Sequence, residues 1–222
     1  MLVPALTVRA DAETERLRGA CSRAVSSLTE RAAEWVAVGT DPSGPVAFGP
    51  DTVGTFEGFG RDVRVTLGGT APVDPGLPLP VLVTGLLREQ AGASSATVRL
   101  LAPDTPAEES RRLGESLVAE ADGLLVLADG TNCSGERSPR PPDERAAPLD
   151  EQLRTALAEV DVDRLRALDP RLCAELGVDG RAALQVLPGV VAAGGGTWRG
   201  ELLYSATPHG VTYHVATWTR QD

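Results

Sequence analysis

The sequence predicts an α/β protein, with a mixed, largely parallel central sheet flanked by helices and a C-terminal antiparallel hairpin. Three observations carry that expectation. Short continuous apolar runs end in glycine or proline, as strands buried on both faces do. Amphipathic stretches at helical spacing lie between them. From Glu201 to Trp218 the chain alternates as a hairpin should, around a Pro208-His209-Gly210 turn.

Asp11 caps a helix expected to reach about Ala33, because Leu17, Ala20, Ala24, Val25, Leu28 and Ala32 share a face while Glu13, Arg16, Arg23 and Glu30 point away. Trp35 to Val38, closed by Gly39, reads as a buried parallel strand. Thr40 to Gly60 is rich in glycine, proline and aspartate and is expected to be mostly loop, before a strand at Val63 to Leu67. Next come a helix over Val81 to Ala91 and a strand over Thr97 to Leu101, and Pro103 stops the strand. Thr105 or Asp104 caps a helix over Ala107 to Ala121, with Glu108 and Glu109 in the first turn where the helix dipole favours acids.

Leu124 to Ala128 is the strongest buried-strand signal, and it empties into the polar run Asp129 to Gly135. Ser138 to Pro148, dense in proline, is an exposed, semi-rigid segment. Helices are expected over Leu149 to Glu159, Val162 to Leu168, Pro170 to Leu176 and Gly180 to Val191, with Gly194 to Gly196 as a flexible connector to the hairpin. No internal repeat is present, and one domain spanning residues 1–222 accommodates the whole pattern.

Thirty-one acidic against 21 basic residues give a formal charge of -10, a field that repels phosphate backbones and anionic lipid. Aromatic residues are only 4% of the chain, too few for base-stacking platforms. Nucleic acid is disfavoured as a partner on both counts. Cys21, Cys133 and Cys173 are odd in number and far apart, which indicates neither a disulfide framework nor a zinc knuckle and fits a reducing compartment. Met1 to Ala10 lacks the basic and apolar regions of a signal peptide, and no apolar run is long enough for a membrane span. The expected setting is cytoplasmic, with no membrane partner. Dimerisation through a sheet edge or helices is left open.

Candidate site residues cluster after the strongest strand. Asp129, Thr131, Asn132, Cys133 and Ser134 gather polar groups at its mouth, where a small ligand would meet backbone and side-chain donors. The competing structural reading is a turn stabilised by Asp and Asn side chains. Cys133 has only Arg137 nearby in sequence to lower its thiol pKa and is read as non-catalytic. His209, at the turn, is with Asp129 the candidate for acid/base work, while His214 in an apolar strand reads as structural. Glu201 is a further ligand-binding candidate. Gly194 to Gly196 lacks the Lys-Ser/Thr of a phosphate loop. The paired acids Glu108-Glu109 and Asp161-Asp163 sit at helix starts and receive no chemistry. No metal site is expected.

Several blocks together resemble actinobacterial proteins similar to the B subunit of class III extradiol ring-cleavage dioxygenases. They are Leu67-Gly68-Gly69 with Pro78-Leu79-Pro80, Leu124 to Gly130, Ala146 to Asp150, Leu168-Asp169-Pro170 with Ala174-Glu175-Leu176, and Gly180 to Ala183. The tail adds Glu201 to Tyr204 with Pro208, Gly210-Val211, Tyr213 and Val215 to Trp218. The resemblance implies that superfamily's fold, in which two histidines and a glutamate hold ferrous iron and a further histidine is the acid/base.

Laid onto this chain, it implies a start downstream of the first iron histidine, since Leu2-Val3-Pro4 resembles the residues just C-terminal to that histidine. The second iron histidine would fall between Gly39 and Gly60, the acid/base histidine near Asn132 and the glutamate at Gly180 or Arg181, and none of these is present. The expectation is a scaffold that has lost iron-dependent ring cleavage, needs no cofactor and binds a small molecule or a protein. The alternative is an oxidoreductase of the same superfamily with a relocated site drawing on Asp129, Asn132, Glu201 and His209, with or without Fe2+.

Overall fold

The computed structural model describes residues 11–221, so the readings made on Met1 to Ala10 lie outside the described residues. The chain groups into two compact units, one running to Ala102 and including Glu120–Val126, the other formed by Pro103–Ala119 and Leu127 onward.

The first unit holds the central sheet. Its strands are β1 (Glu34–Thr40), β2 (Val46–Phe48), β5 (Ser95–Leu101) and β6 (Leu124–Val126), in the order β2-β5-β1-β6. β1 pairs in parallel with both β5 and β6, and β2 adds an antiparallel edge, so the sheet is mixed and largely parallel. Helix α1 (Ala12–Thr29) begins as the sequence predicts, with Asp11 Oδ1 accepting the Thr14 N–H at 2.8 Å. Helix α2 (Leu79–Ala91) buries an unbroken run from Val81 to Leu87, as a helix pressed between neighbours must. It packs on α1, β1 and β5. β3 (Val53–Thr55) and β4 (Arg64–Thr66) form a separate two-stranded ribbon.

Two expectations change here. The segment 40–60 contains β2, β3 and a short 3-10 turn, Phe56–Phe59, whose three-residue strands are too brief to show periodicity in sequence. β6 is an edge strand of three half-buried residues rather than a strand buried on both faces. An apolar run states a preference for burial, but which strands lie beside it is a tertiary outcome.

The second unit is helical, with a hairpin. It contains α3 (Ala107–Leu117), α4 (Ala146–Glu159), α5 (Val162–Arg166), α6 (Pro170–Leu176), α7 (Arg181–Leu184), α8 (Leu187–Gly194), β7 (Thr197–Ala206) and β8 (Tyr213–Gln221). Pro106, not Thr105 or Asp104, precedes α3, and no side chain caps it. The stretch read as one helix over Gly180 to Val191 is two, because Pro188 in the first turn of α8 has no N–H for Leu184. Gly195 and Gly196 both take left-handed φ angles, which lets the chain turn from α8 into β7. The hairpin is its own two-stranded sheet with a bulge between Leu202 and Tyr204.

Two devices hold the helices together. Gly114 of α3 faces the Val186 carbonyl and Gly189 of α8 faces the Arg111 carbonyl, so that a Cβ on either would overlap the opposing backbone. Arg181, 2% exposed, donates from Nη2 to the carbonyls of Pro103 and Thr105, each at 2.8 Å, and from Nη1 to Gln185 Oε1. Gln185 Nε2 in turn serves the carbonyls of Leu165, Arg166 and Leu168 at the end of α5, at 3.2 to 3.3 Å.

The glycine contact gives a signed prediction. Gly189→Val will destabilise the protein by about 3 kcal/mol or more, because backbone must move apart. Gly19→Ala, at an exposed α1 position with nothing near the added methyl, will stabilise by roughly 0.5–1 kcal/mol. Denaturant midpoints of the two variants measure both.

Candidate functional site

The polar loop after β6 is organised by one carboxylate. Asp150 occupies the buried stripe of α4 with Ala146, Leu149 and Leu153, and is itself 8% exposed. Its Oδ1 accepts the Thr131 backbone N–H at 2.9 Å. Its Oδ2 accepts the hydroxyls of Thr131 and Thr212, both at 2.6 Å, with Ser134 Oγ farther off at 3.4 Å. A hydroxyl has one proton, so once Thr131 and Thr212 donate to the carboxylate they can only accept from their other neighbours. Ser134 Oγ, 2.8 Å from Thr131 Oγ1, therefore donates to it, and Thr207 Oγ1, 2.9 Å from Thr212 Oγ1, does likewise. The result is a directed chain, Ser134 to Thr131 to Asp150 on one side and Thr207 to Thr212 to Asp150 on the other.

Backbone bonds lock the same pieces. Gly130 N–H donates to the Thr212 carbonyl at 3.0 Å and Thr212 N–H to the Thr131 carbonyl at 2.8 Å. Ser134 N–H meets the Gly210 carbonyl at 3.3 Å. Gly210 has φ 80° and lies so close to the Ser138 backbone that a Cβ would come within 2.5 Å of its N and Cα. No other residue fits there. His209 precedes it in the 3-10 turn Pro208–Gly210, exposed and itself at φ 56°. The turn thus sets His209 one residue from the loop.

Asp129 stands at the rim. It keeps exposed surface, yet the protein crowded around it and the Asp179 carboxylate push its pKa above the ordinary carboxylate range. Gly180 makes the approach of Asp179 possible, since a Cβ there would meet Ala128 Cα at 2.6 Å. Tyr213, half-buried at the first position of β8, has its phenol pushed up by burial and by the Asp129 charge. Arg140 lies 3.9 Å from Asp179 and donates to the carbonyls of Ala174 at 2.6 Å and Glu175 at 3.2 Å.

The other expected residues are distributed differently. Thr131 and Cys133 are closed off from solvent. Cys133 Sγ points at the Leu176 carbonyl, 3.5 Å away, and burial followed by the charges of Asp143 and Asp150 raises its pKa, the opposite of what a nucleophilic thiolate needs. Asn132 donates its N–H to the Leu176 carbonyl, and its side chain fills the space left by Gly177, with Oδ1 buried and without a hydrogen-bond partner. Glu201 is exposed in the middle of β7 opposite Thr217, away from the turn that meets the loop. His214 lies within β8, its Nδ1 3.0 Å from Ser205 Oγ. Among the described residues no group of three or more His, Cys, Asp or Glu side chains is placed to hold a metal ion, and no helix is long and apolar enough to cross a membrane.

The fold is similar to that of an uncharacterised protein, JW3007, of Escherichia coli K12. Its crystal structure matches with a TM-score of 0.52 at 14% sequence identity, over 89% of this chain and 91% of that one. At such identity the likeness carries the fold alone. No protein-family model matches the chain, and no curated protein does.

Asp150, Thr212, Asp179 and Tyr213 are the site residues that sequence reasoning missed. Asp150 did carry a signal: with Ala146, Leu149 and Leu153 it falls on the apolar stripe of α4, and an acid on that stripe must find buried donors. Thr212 and Tyr213 carried none, because the hairpin brings them in from far along the chain, Thr212 from 62 residues beyond Asp150.

Removing the hub strands its donors. Asp150→Ala is expected to cost about 3 kcal/mol, since a buried N–H and two hydroxyls lose their acceptor. Thr212→Val, which keeps shape and removes one donor, is expected to cost about 1–2 kcal/mol. The double variant will lose less than the sum, as a double-mutant cycle on denaturant midpoints will read.

Proposed function

We propose that this chain is a divergent relative of the class III extradiol dioxygenase B subunit that has given up iron-dependent ring opening and binds a small hydroxylated molecule at the loop after β6. The residues at the positions aligned with the iron chemistry support this reading. Gly180 is pressed on Ala128, and Arg181 is spent on the Pro103 and Thr105 carbonyls. The observation that carries the proposal is Asp129, a carboxyl of raised pKa that retains exposed surface near Tyr213, in the same loop as the Ser134 that begins the hydroxyl chain.

The hydroxyl chain suggests the ligand class. With their protons turned toward Asp150, Ser134 and Thr207 offer only lone pairs outward, and lone pairs select a ligand that donates O–H or N–H groups. A catechol-like diol has such groups. Three unpaired thiols fit a cytoplasmic setting. A second reading, an oxidoreductase with Asp129 and His209 as its acid/base pair, draws on the turn that sets His209 beside the loop.

Two measurements test these readings. Purified protein, dialysed and analysed for metal, should hold no stoichiometric iron and should take up no oxygen with catechol and added Fe2+; iron retention with oxygen uptake would end the first reading and favour the second. In ligand-observed NMR with catechol, the unmodified protein should bind and Asp129→Ala should bind about tenfold or more weakly, the loss of one hydrogen bond. Equal binding by both, or none by either, removes the site.

A further inference from the structure

β8 lays His214 against α4. Its ring is paired across the hairpin with Ser205, whose Oγ lies 3.0 Å from Nδ1. Nε2 is fully buried and has no hydrogen-bond partner among the described residues. An orphaned acceptor is less costly to bury than an orphaned N–H, so the neutral ring carries its proton on Nδ1 and donates it to Ser205. A second proton would put a charged N–H donor where nothing accepts it.

The groups facing the ring do not provide an acceptor. From α4 these are Asp150, Glu151 and Arg154. Asp150 is already engaged by the Thr131 N–H and by the hydroxyls of Thr131 and Thr212. Glu151 is engaged by the Arg154 guanidinium, with Nε to Oε2 at 2.6 Å, and by Thr155. From β7 the facing group is the uncharged Ser205. The same interface holds Trp218, whose indole N–H donates to the Leu157 carbonyl of α4 at 2.7 Å, and Gly200, pressed on the Ala158 carbonyl. These are the contacts that keep the hairpin on the helix.

We infer that His214 is an acid-sensitive latch: protonation of its buried Nε2 loosens the hairpin from α4 and, through Thr212, slackens the hydroxyl chain on Asp150 that orders the loop after β6. Burial lowers the pKa of His214, with Arg154 adding to that and Asp150 and Glu151 opposing it. The unfolded chain therefore takes up this proton first. The stabilisation is whole above the ordinary imidazole value of 6.5 and is lost as pH falls below it toward the folded-state value. Because only two histidines are present, the event can be followed at a single ring. The latch does not depend on any ligand being bound.

The test uses the full chain. Imidazole C2–H signals followed by NMR, assigned with His209→Asn at a left-handed position that Asn tolerates, should show His214 titrating below the ordinary imidazole range. Hydrogen exchange, corrected for the intrinsic effect of pH, should show amides of β7 and β8 losing about tenfold or more of their protection between about pH 7.5 and pH 5, with those of α3 and α8 unchanged. His214→Gln, which cannot titrate, should keep hairpin protection flat over that range. Should that variant fail to fold, the unmodified protein decides alone: a ring titrating at or above the ordinary value, or hairpin protection that does not respond to it, overturns the latch.

Discussion

The second unit depends on the buried carboxylate of Asp150. A charge taken out of water must be repaid by hydrogen bonds, and here three donors come from two places in the chain: the N–H and hydroxyl of Thr131 in the loop after β6, and the hydroxyl of Thr212 in the turn of the hairpin. Because the carboxylate accepts only, it fixes the direction of every hydroxyl proton in the chain from Ser134 to Thr207. The loop's conformation and the seating of the hairpin turn are both tied to that polarity. Polarised chains of this kind reinforce each bond they contain.

Close backbone approach is the second constraint, and glycine supplies it where it matters. Gly210 lets the turn press on Ser138 and reach Ser134, while Gly180 lets Asp179 come up to Asp129. The first contact closes the loop, and the second adds the Asp179 charge to the burial that raises the pKa of the rim carboxyl. Stability and site chemistry therefore share the same few positions. The loop's buried hydroxyls serve structure, and the rim residues Asp129 and Tyr213 hold the perturbed groups.

Some of this was legible in the sequence. The Asp11 cap, the parallel pairing of a strand at Trp35 to Val38, the helix over Pro170 to Leu176 and the closing hairpin all express local rules: a cap, an apolar run, a proline at a helix start, an alternation. The polar loop after β6 was legible as a candidate site for the same reason. Which of its members face solvent was not, because Thr131 and Asp129 differ by two positions in sequence and by complete burial in space.

By itself, the sequence determined the α/β class, the order of most helices and strands, the scarcity of imidazole and the acidic charge, because each is a sum over local residues or a short periodicity. Tertiary structure alone decided that β6 is an edge, that the chain divides into two compact units, that Asp150 gathers donors from 62 residues away and that His214 has an unpartnered nitrogen against α4. These depend on which surfaces meet. A hydrogen bond between distant residues leaves no periodic trace in either segment, and whether a buried polar atom is satisfied is known only when its neighbours are.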